Sequence, residues 1–327
     1  MKQTELVLGD LDVFYISYDE PAKEEHWANL MMKFPFAKRV DGVKGFDNAH
    51  KECARQSETD RFISIDGDNI VDEKFFDLAI TFPEKTDLAN SVISWSAKNM
   101  INGLVYGNGG IKCWPVDLVL EMETHENAVD DTKKVDFCWD LNYIQMNNIY
   151  SEVYNAGSPF QAFRAGYREG VKMSLDEGAK VPVEDFQKRI WPKNYERLLT
   201  WCNIGADVEN GIWACFGARL GCYDINFNEK YKLENISSFD WFKSYFEEDV
   251  LPMFSGGSEK CSKTGVEWDY DKLYDESIRI GDILADKIGM EIADPTAELG
   301  RFFKRVYTNP PRVNNPLASE KQTGWDR

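Results

Sequence analysis

The chain has 327 residues and a composition typical of a globular protein: 43% hydrophobic, 29% charged and 13% aromatic. No apolar run approaches the roughly 18 residues of a membrane span, and the first residues lack the pattern of a signal peptide, so we expect a cytoplasmic protein with no membrane partner. The net charge of −18 excludes a broadly basic surface, so any contact with nucleic acid must use a local cationic groove. Seven scattered cysteines without a CxxC pair argue against a disulfide framework.

The first 120 residues alternate between strand and helix patterns. Residues 12–18 (DVFYISY) are rich in β-branched and aromatic side chains and predict a strand, and residues 61–65 (RFISI) predict a fully buried one. Helical spacing is found over residues 24–34, 48–56 and 72–80. Strands that alternate with helices predict an α/β fold, here a mixed, mostly parallel twisted sheet flanked by helices.

Two more strands are expected over residues 90–99 and 102–114, with a Gly-rich turn at Asn108, Gly109 and Gly110. Glycines in such a segment permit close approach to a ligand, or serve a tight hairpin.

The second half of the chain is rich in helix patterns. They cover residues 159–175, 194–205, 210–221 and 271–290. Residues 1–150 are therefore expected to form a ligand-binding half and residues 151–327 a helix-rich half continuous with it.

Three aspartates follow the strand predicted at residues 61–65. Acids are rarely buried without a partner, and ligands of open α/β sheets bind at the carboxyl ends of strands. Gly67 lets the chain turn so that Asp66 and Asp68 can face one point. Two carboxylates at this spacing suit Mg²⁺ or Mn²⁺ held together with substrate phosphates. Asp72 is expected to cap the following helix.

Other interpretations of the DGD segment were considered. An EF-hand loop is excluded because Val71 stands where glycine is needed. A haloacid-dehalogenase-like phosphotransferase would use Asp66 as nucleophile, although the chain continues with Asn69 and Ile70 rather than Gly-Thr. A solvated turn, and a non-enzymatic nucleotide-sugar-binding protein that has lost its metal, also remain open.

The segments DVFYISYDEP and VKGFDNAHKECARQSETDRFISIDGDNIVD resemble the nucleotide-sugar half of a GT-A glycosyltransferase. They are similar in particular to glycosyltransferases encoded by large tailed phages, some of which are thought to place a sugar, arabinose in particular, on hydroxymethylcytosine of phage DNA. The likeness extends more loosely over residues 10–310. It implies metal-dependent transfer from a nucleotide-diphosphate sugar, most often a UDP-sugar, to a hydroxyl of DNA, protein or glycan, in the cytoplasm of an infected bacterium.

The resemblance implies a set of donor contacts. Asp66 and Asp68 would hold Mn²⁺ or Mg²⁺ and, through it, the donor diphosphate. Tyr15, Ser17 and Asp19 would line the nucleobase and ribose pocket, although Tyr15 equally suits a core position. The remaining implied donor contacts are Lys44, His50, Gly67, Asn108, Gly109 and Gly110. Lys44 could instead be solvated, and His50 could be a surface or capping residue.

Most residues expected to act on the acceptor lie in the second half of the chain. Asp207 and Glu209 precede a predicted helix, and either could deprotonate the acceptor hydroxyl, while Asp207 could also cap that helix. Asp140 is a second candidate base, and its neighbour Trp139 could stack on a sugar or lie in the core. No histidine follows His125 to serve as a third metal ligand.

Arg164, Arg168 and Lys172 share one face of a predicted helix because they are four residues apart. That face could bind phosphate of the donor or the acceptor, or be a solvated face paired with Glu169 and Asp176. Further cations that could serve a DNA acceptor are Lys188, Arg189, Lys193, Arg197, Arg301, Lys304, Arg305 and Arg312.

Overall fold

The computed structural model describes residues 3–124, 141–308 and 319–322. The strands are β1 (Gln3–Val7), β2 (Asp12–Ser17), β3 (Lys38–Asp41), β4 (Arg61–Asp66), β5 (Asn69–Val71), β6 (Leu78–Pro83), β7 (Ser91–Asn99), β8 (Val105–Pro115), β9 (Asn142–Val153), β10 (Leu175–Asp176), β11 (Ala179–Lys180), β12 (Glu259–Lys260), β13 (Glu267–Trp268) and β14 (Ser319–Gln322). The α-helices are α1 (Lys23–Lys33), α2 (Phe46–Gln56), α3 (Val116–Glu121), α4 (Pro159–Lys172), α5 (Phe186–Arg189), α6 (Pro192–Asn203), α7 (Gly211–Phe227), α8 (Phe239–Ser244), α9 (Tyr270–Ile288) and α10 (Ala297–Val306).

The main sheet has the strand order β3-β2-β4-β8-β7-β9-β5. Within the described residues, β2 pairs in parallel with β3 and β4, and β7 with β9, while the other three pairings are antiparallel. The predicted α/β class is confirmed, but the sheet is mixed rather than mostly parallel. The cause is local: β7 and β8 form a hairpin, which places an antiparallel strand beside β4.

The sheet is curled. Only Gly67 and Asp68 separate β4 from β5, although β5 lies at the far edge of the strand order. Two residues span so short a distance that this edge must come close to the end of β4. The carboxyl end of β4 therefore lies in a concave part of the sheet.

The predicted helix over residues 72–80 is wrong. A short 3₁₀ turn (Glu73–Phe75), capped by Asp72 through its Oδ1 at 3.0 Å from the Lys74 amide, leads directly into β6. This strand pairs with β1 and β14, so its conformation depends on partners that are distant in sequence. The expected capping role of Asp72 is confirmed.

The expected Gly-rich turn is also wrong, because β8 runs through Asn108, Gly109 and Gly110 as one strand and the chain reverses at residues 100–104 instead. A Cβ on Gly109 would lie 2.1 Å from the Ala97 amide nitrogen, and one on Gly110 would lie 2.0 Å from Nδ2 of Asn69. Both glycines are thus required by strand packing.

Helices α4 and α7 form the centre of the helical half. A Cβ on Gly166 or Gly170 would lie 1.9 or 2.1 Å from the carbonyl oxygens of Ala214 and Ala218. The two backbones are therefore in direct contact, and the small residues repeat every four positions so that they share one helix face. This contact lies within the largest apolar cluster of the described residues, which packs α4 against α7.

No helix in the described part of the chain is long and apolar enough to cross a membrane. Six cysteines fall within that part, and all six are buried and free: Cys53, Cys113, Cys202, Cys215, Cys222 and Cys261.

Candidate functional site

A cleft of about 590 Å³ lies where the carboxyl ends of β2 and β4 face helix α4. β4 ends at Asp66, which is paired in register with Ile16 of β2, and both residues line the cleft. The sheet side of the cleft carries acids and the α4 side carries cations. This is the edge at which ligands of open α/β sheets bind.

Three carboxylates line the sheet side of the cleft: Glu20, Asp66 and Asp68. A Cβ on Gly67 would lie only 2.7 Å from Oε2 of Glu20, so the Glu20 carboxylate lies against the backbone between Asp66 and Asp68. Burial, followed by the charges of Asp66 and Glu20, raises the pKa of Asp68 to about 7. Burial also raises the pKa of Glu20. The sequence analysis missed Glu20 and named its neighbour Asp19, which lies exposed on the lining of the same cleft.

A buried lysine and histidine lie behind the acids. Lys112 of β8 is 2% exposed, and its Nζ is 3.9 Å from Oδ2 of Asp66. His50 of α2 is also 2% exposed and lines the cleft. Its Nδ1 lies 2.9 Å from the Phe46 carbonyl oxygen and so must donate, while its Nε2 has no hydrogen-bond partner in the described chain.

Burial lowers the pKa of His50 to about 4, so the ring is neutral at pH 7. With Nδ1 protonated, Nε2 carries a lone pair that no hydrogen of the described residues satisfies. Lys112 was missed by the sequence analysis, although a lysine inside an otherwise apolar and Gly-rich strand was a usable signal.

Tyr15 and Ser17 do not line the cleft. The Tyr15 hydroxyl donates to the Gly67 carbonyl oxygen at 2.7 Å, and Ser17 Oγ donates to Oδ1 of Asp41 at 2.6 Å. Successive side chains of β2 point to opposite faces, so Ile16 and Tyr18 face the cleft instead. Tyr15 thus has a supporting role, since it holds the backbone of Gly67.

The mouth of the cleft is bridged by contacts between the two halves. Lys44 lines the cleft, and its Nζ lies 2.7 Å from Oδ2 of Asp240 on α8, with both side chains mostly exposed. Tyr18 meets Phe239 edge-on, with 5.9 Å between the ring centroids. We call these two pairs the mouth contacts. Gly109 also lines the cleft, whereas Gly110 does not.

The face of α4 predicted from residue spacing points into the cleft. Arg164, Arg168 and Lys172 all line it. Lys172 is paired with Glu169, with 3.2 Å between Nζ and Oε1. In contrast, the Nε atoms of both arginines are buried without a hydrogen-bond partner in the described chain. Burial, and then the charge of Arg168, lowers the pKa of Arg164 to about 9.

Four of the seven described cations predicted for the wider surface of the second half are ion-paired, whereas Lys193, Arg197 and Arg305 contact no acid of the described residues. Arg189 pairs with Asp176, and Lys188 with Asp185, at 2.7 and 3.6 Å. The remaining described pairs are Arg301 with Glu298 and Lys304 with Asp207, both at 2.9 Å. Arg312 lies outside the described residues.

The acids predicted as catalytic bases are not brought to the cleft. Asp207 accepts from Lys304 Nζ, and Glu209 accepts from the Ser262 amide at 2.8 Å. Neither residue lines the cleft, and α7 is preceded by Asn210 rather than capped by Asp207. Asp140 and Trp139 lie outside the described residues.

One carboxylate of the helical half does line the described cleft: Glu169 of α4. It accepts a short hydrogen bond from the Tyr106 hydroxyl, which in turn accepts from Trp201 Nε1 at 2.6 Å. The sequence analysis named Glu169 only as a partner for the arginines, because nothing local indicates that Tyr106 would reach it from β8.

Among residues 3–124, 141–308 and 319–322, no three His, Cys, Asp or Glu side chains are grouped so as to hold a metal ion. Any divalent ion at Asp66 and Asp68 would therefore need oxygens of a substrate to complete its shell, which is the usual situation for Mg²⁺ beside phosphates. No protein-family model, no curated protein and no solved structure matches the chain.

Proposed function

We propose that this protein is a glycosyltransferase that moves a sugar from a nucleotide-diphosphate donor, a UDP-sugar, to a hydroxyl group. One observation carries the proposal: carboxylates of the sheet side and two arginines without an acid partner among the described residues line one cleft at the carboxyl ends of β2 and β4. A diphosphate neutralised by a divalent cation has the charges that such a cleft complements. The resemblance of the DGD segment to GT-A enzymes supports the same assignment.

Asp66 and Asp68 would hold the divalent ion, Mn²⁺ or Mg²⁺, which supplies charge neutralisation for the diphosphate leaving group. The position of the Glu20 carboxylate against Gly67 fits this role, because the negative charges of Glu20 and Asp66 both act on Asp68 and a bound cation would offset them. Tyr18, 39% exposed on the cleft lining, offers a ring on which a nucleobase can stack. His50 Nε2 offers an acceptor for a donor hydroxyl.

In the reaction, the acceptor oxygen bonds to the anomeric carbon of the sugar, and the bond from that carbon to the diphosphate oxygen breaks. The nucleoside diphosphate leaves with the electron pair. The hydroxyl proton passes to a basic oxygen in the cleft, and we assign this role to Glu169, the described carboxylate on the α4 side. Asp207 is not included, because its carboxylate is held by Lys304 away from the cleft.

The donor is tested by a thermal-shift screen of UDP, UDP-arabinose and other UDP-sugars, with Mn²⁺ and with EDTA. We expect the unfolding midpoint to rise only when metal and nucleotide are both present. At a hundredfold excess of ligand over Kd, the free energy of unfolding should increase by about 2.7 kcal/mol. Mn²⁺ alone and an adenine nucleotide serve as controls. The proposal fails if no nucleotide diphosphate shifts the midpoint in a metal-dependent way. A protein that binds a UDP-sugar but neither hydrolyses nor transfers it would be a binding protein instead.

Within this proposal, 5-hydroxymethylcytosine in phage DNA is the acceptor that the resemblance favours, and a protein or glycan hydroxyl is the alternative. The pairing of the surface cations weakens the DNA case. If DNA is the acceptor, transfer should fall at least tenfold or so between 50 and 200 mM salt, because phosphate contacts release counterions. Transfer of radiolabelled sugar to hydroxymethylated and unmodified duplexes measures this. A reaction on DNA that is indifferent to salt would contradict phosphate contacts by the cleft arginines.

A further inference from the structure

The protein has 56 acidic and 38 basic residues, so a carboxylate partner is readily found for an arginine. The cations near α4 show this: Lys172, Arg189 and Lys304 each contact an acid. Arg164 and Arg168 contact no acid among the described residues, although they are neighbours on one helix face and the charge of Arg168 disfavours that of Arg164. Partly buried charges are normally paired, so this pair indicates a site for an anionic ligand.

The surroundings hold the two arginines in the cleft. The Arg164 guanidinium lies over the rings of Phe239 and Phe242, at 5.2 and 5.7 Å from their centroids. These contacts orient the flat group without using its N–H donors, and Nε has no hydrogen-bond partner among the described residues. The nearby Glu169 carboxylate contacts Tyr106 and Lys172 rather than either arginine. Helix α4 itself is fixed by the backbone contact of Gly166 and Gly170 with α7.

We infer that Arg164 and Arg168 form a binding site for a phosphate group that does not depend on a metal ion. Two guanidinium forks side by side match the several acceptor oxygens of a phosphate. The phosphate can belong to the donor diphosphate or to the second substrate, and the chemistry of recognition is the same. The existence of the site does not rest on the proposed function; only the choice between these two sources does.

The test is calorimetric titration of the full-length protein with inorganic pyrophosphate in EDTA. We expect binding by wild type, and a Kd raised about tenfold or more in Arg168→Gln and in Arg164→Gln, because each loses hydrogen bonds to a charged group. Arg189→Gln is the matched control, since its guanidinium is paired with Asp176 and does not line the cleft. Arg168→Lys keeps the charge but not the fork, and should bind with intermediate affinity. Circular dichroism of each variant verifies folding.

The inference is overturned if pyrophosphate does not bind in EDTA, or binds wild type and the folded Arg168 variants equally. Asp68→Asn separates this inference from the proposed function. It removes a negative charge that acts on Arg164, so metal-free pyrophosphate binding should persist or become tighter while metal-dependent UDP binding is lost. If UDP never binds with Mn²⁺ but pyrophosphate binding still requires Arg168, the inference stands and the proposed function fails.

A second titration, with inorganic phosphate into protein saturated with UDP and Mn²⁺, distinguishes the sources. Loss of the Arg168-dependent phosphate binding assigns the site to the donor diphosphate. Continued binding assigns it to a phosphate on the second substrate, such as a nucleic acid backbone or a phosphorylated sugar.

Discussion

Asp66→Asn and Asp68→Asn should each lower metal-dependent UDP-sugar turnover about a hundredfold or more, because each removes a charge that the metal–diphosphate pair requires. Asp68→Asn should also be no less stable than wild type, since it relieves the repulsion of Asp68 by Asp66 and Glu20. Initial rates of UDP release and the thermal midpoint are the two measurements. Loss of activity without loss of stability is the signature of a site residue.

Asp72→Asn is the matched control for these variants. Asp72 is in the same segment but does not line the cleft, and asparagine replaces aspartate well as a cap. Unchanged activity in the Asp66/Asp68 double variant would disprove the metal role. A chain that hydrolyses phosphate esters, loses this activity in Asp66→Asn and never acts on UDP-sugars would instead be a dehalogenase-like phosphotransferase.

Gly170→Ala should destabilise the protein by about 1–3 kcal/mol through overpacking. The new Cβ would lie 2.1 Å from the Ala218 carbonyl oxygen, which is backbone and cannot move without displacing α7. Helix propensity alone favours the opposite result, a gain of up to about 1 kcal/mol. Urea denaturation followed by circular dichroism measures the change. Because α4 also carries the two arginines, pyrophosphate binding should weaken in the folded fraction.

Ala285→Gly is the control for this prediction. Ala285 is exposed on α9, so the change tests helix propensity without packing and should cost about 1 kcal/mol. If Gly170→Ala stabilises the protein, as an ordinary glycine replacement in a helix would, the close contact of α4 and α7 is contradicted.

The parts of the site predicted correctly from sequence depend on local patterns. The strand that ends at Asp66 is short, buried and mostly apolar, and the cationic face of α4 follows from the helical period alone. Such features hold wherever the element is placed in the fold. The same reasoning correctly anticipated the cap at Asp72.

The parts that failed depend on contacts between distant segments. Tyr15 and Ser17 were predicted to line the cleft, but the residues that do so are one position further along the chain. Both faces of this strand are covered, so the sequence alone does not show which face is turned to the cleft. β6 is a strand only because β1 and β14 pair with it. Asp207 looked like a free acid at a helix start, yet Lys304, 97 residues further on, occupies it.

The close contact of Gly166 and Gly170 on α4 with the backbone of α7 also bears on how a substrate enters the cleft. Neither helix can slide along the other without a collision of backbones. Arg164 and Arg168 on α4 are therefore expected to keep their position in the cleft. The mouth contacts, in contrast, are an exposed ion pair worth at most about 1 kcal/mol and one pair of aromatic rings. A ligand is therefore expected to enter and leave when α8 moves away from Tyr18 and Lys44, while α4 stays fixed against α7.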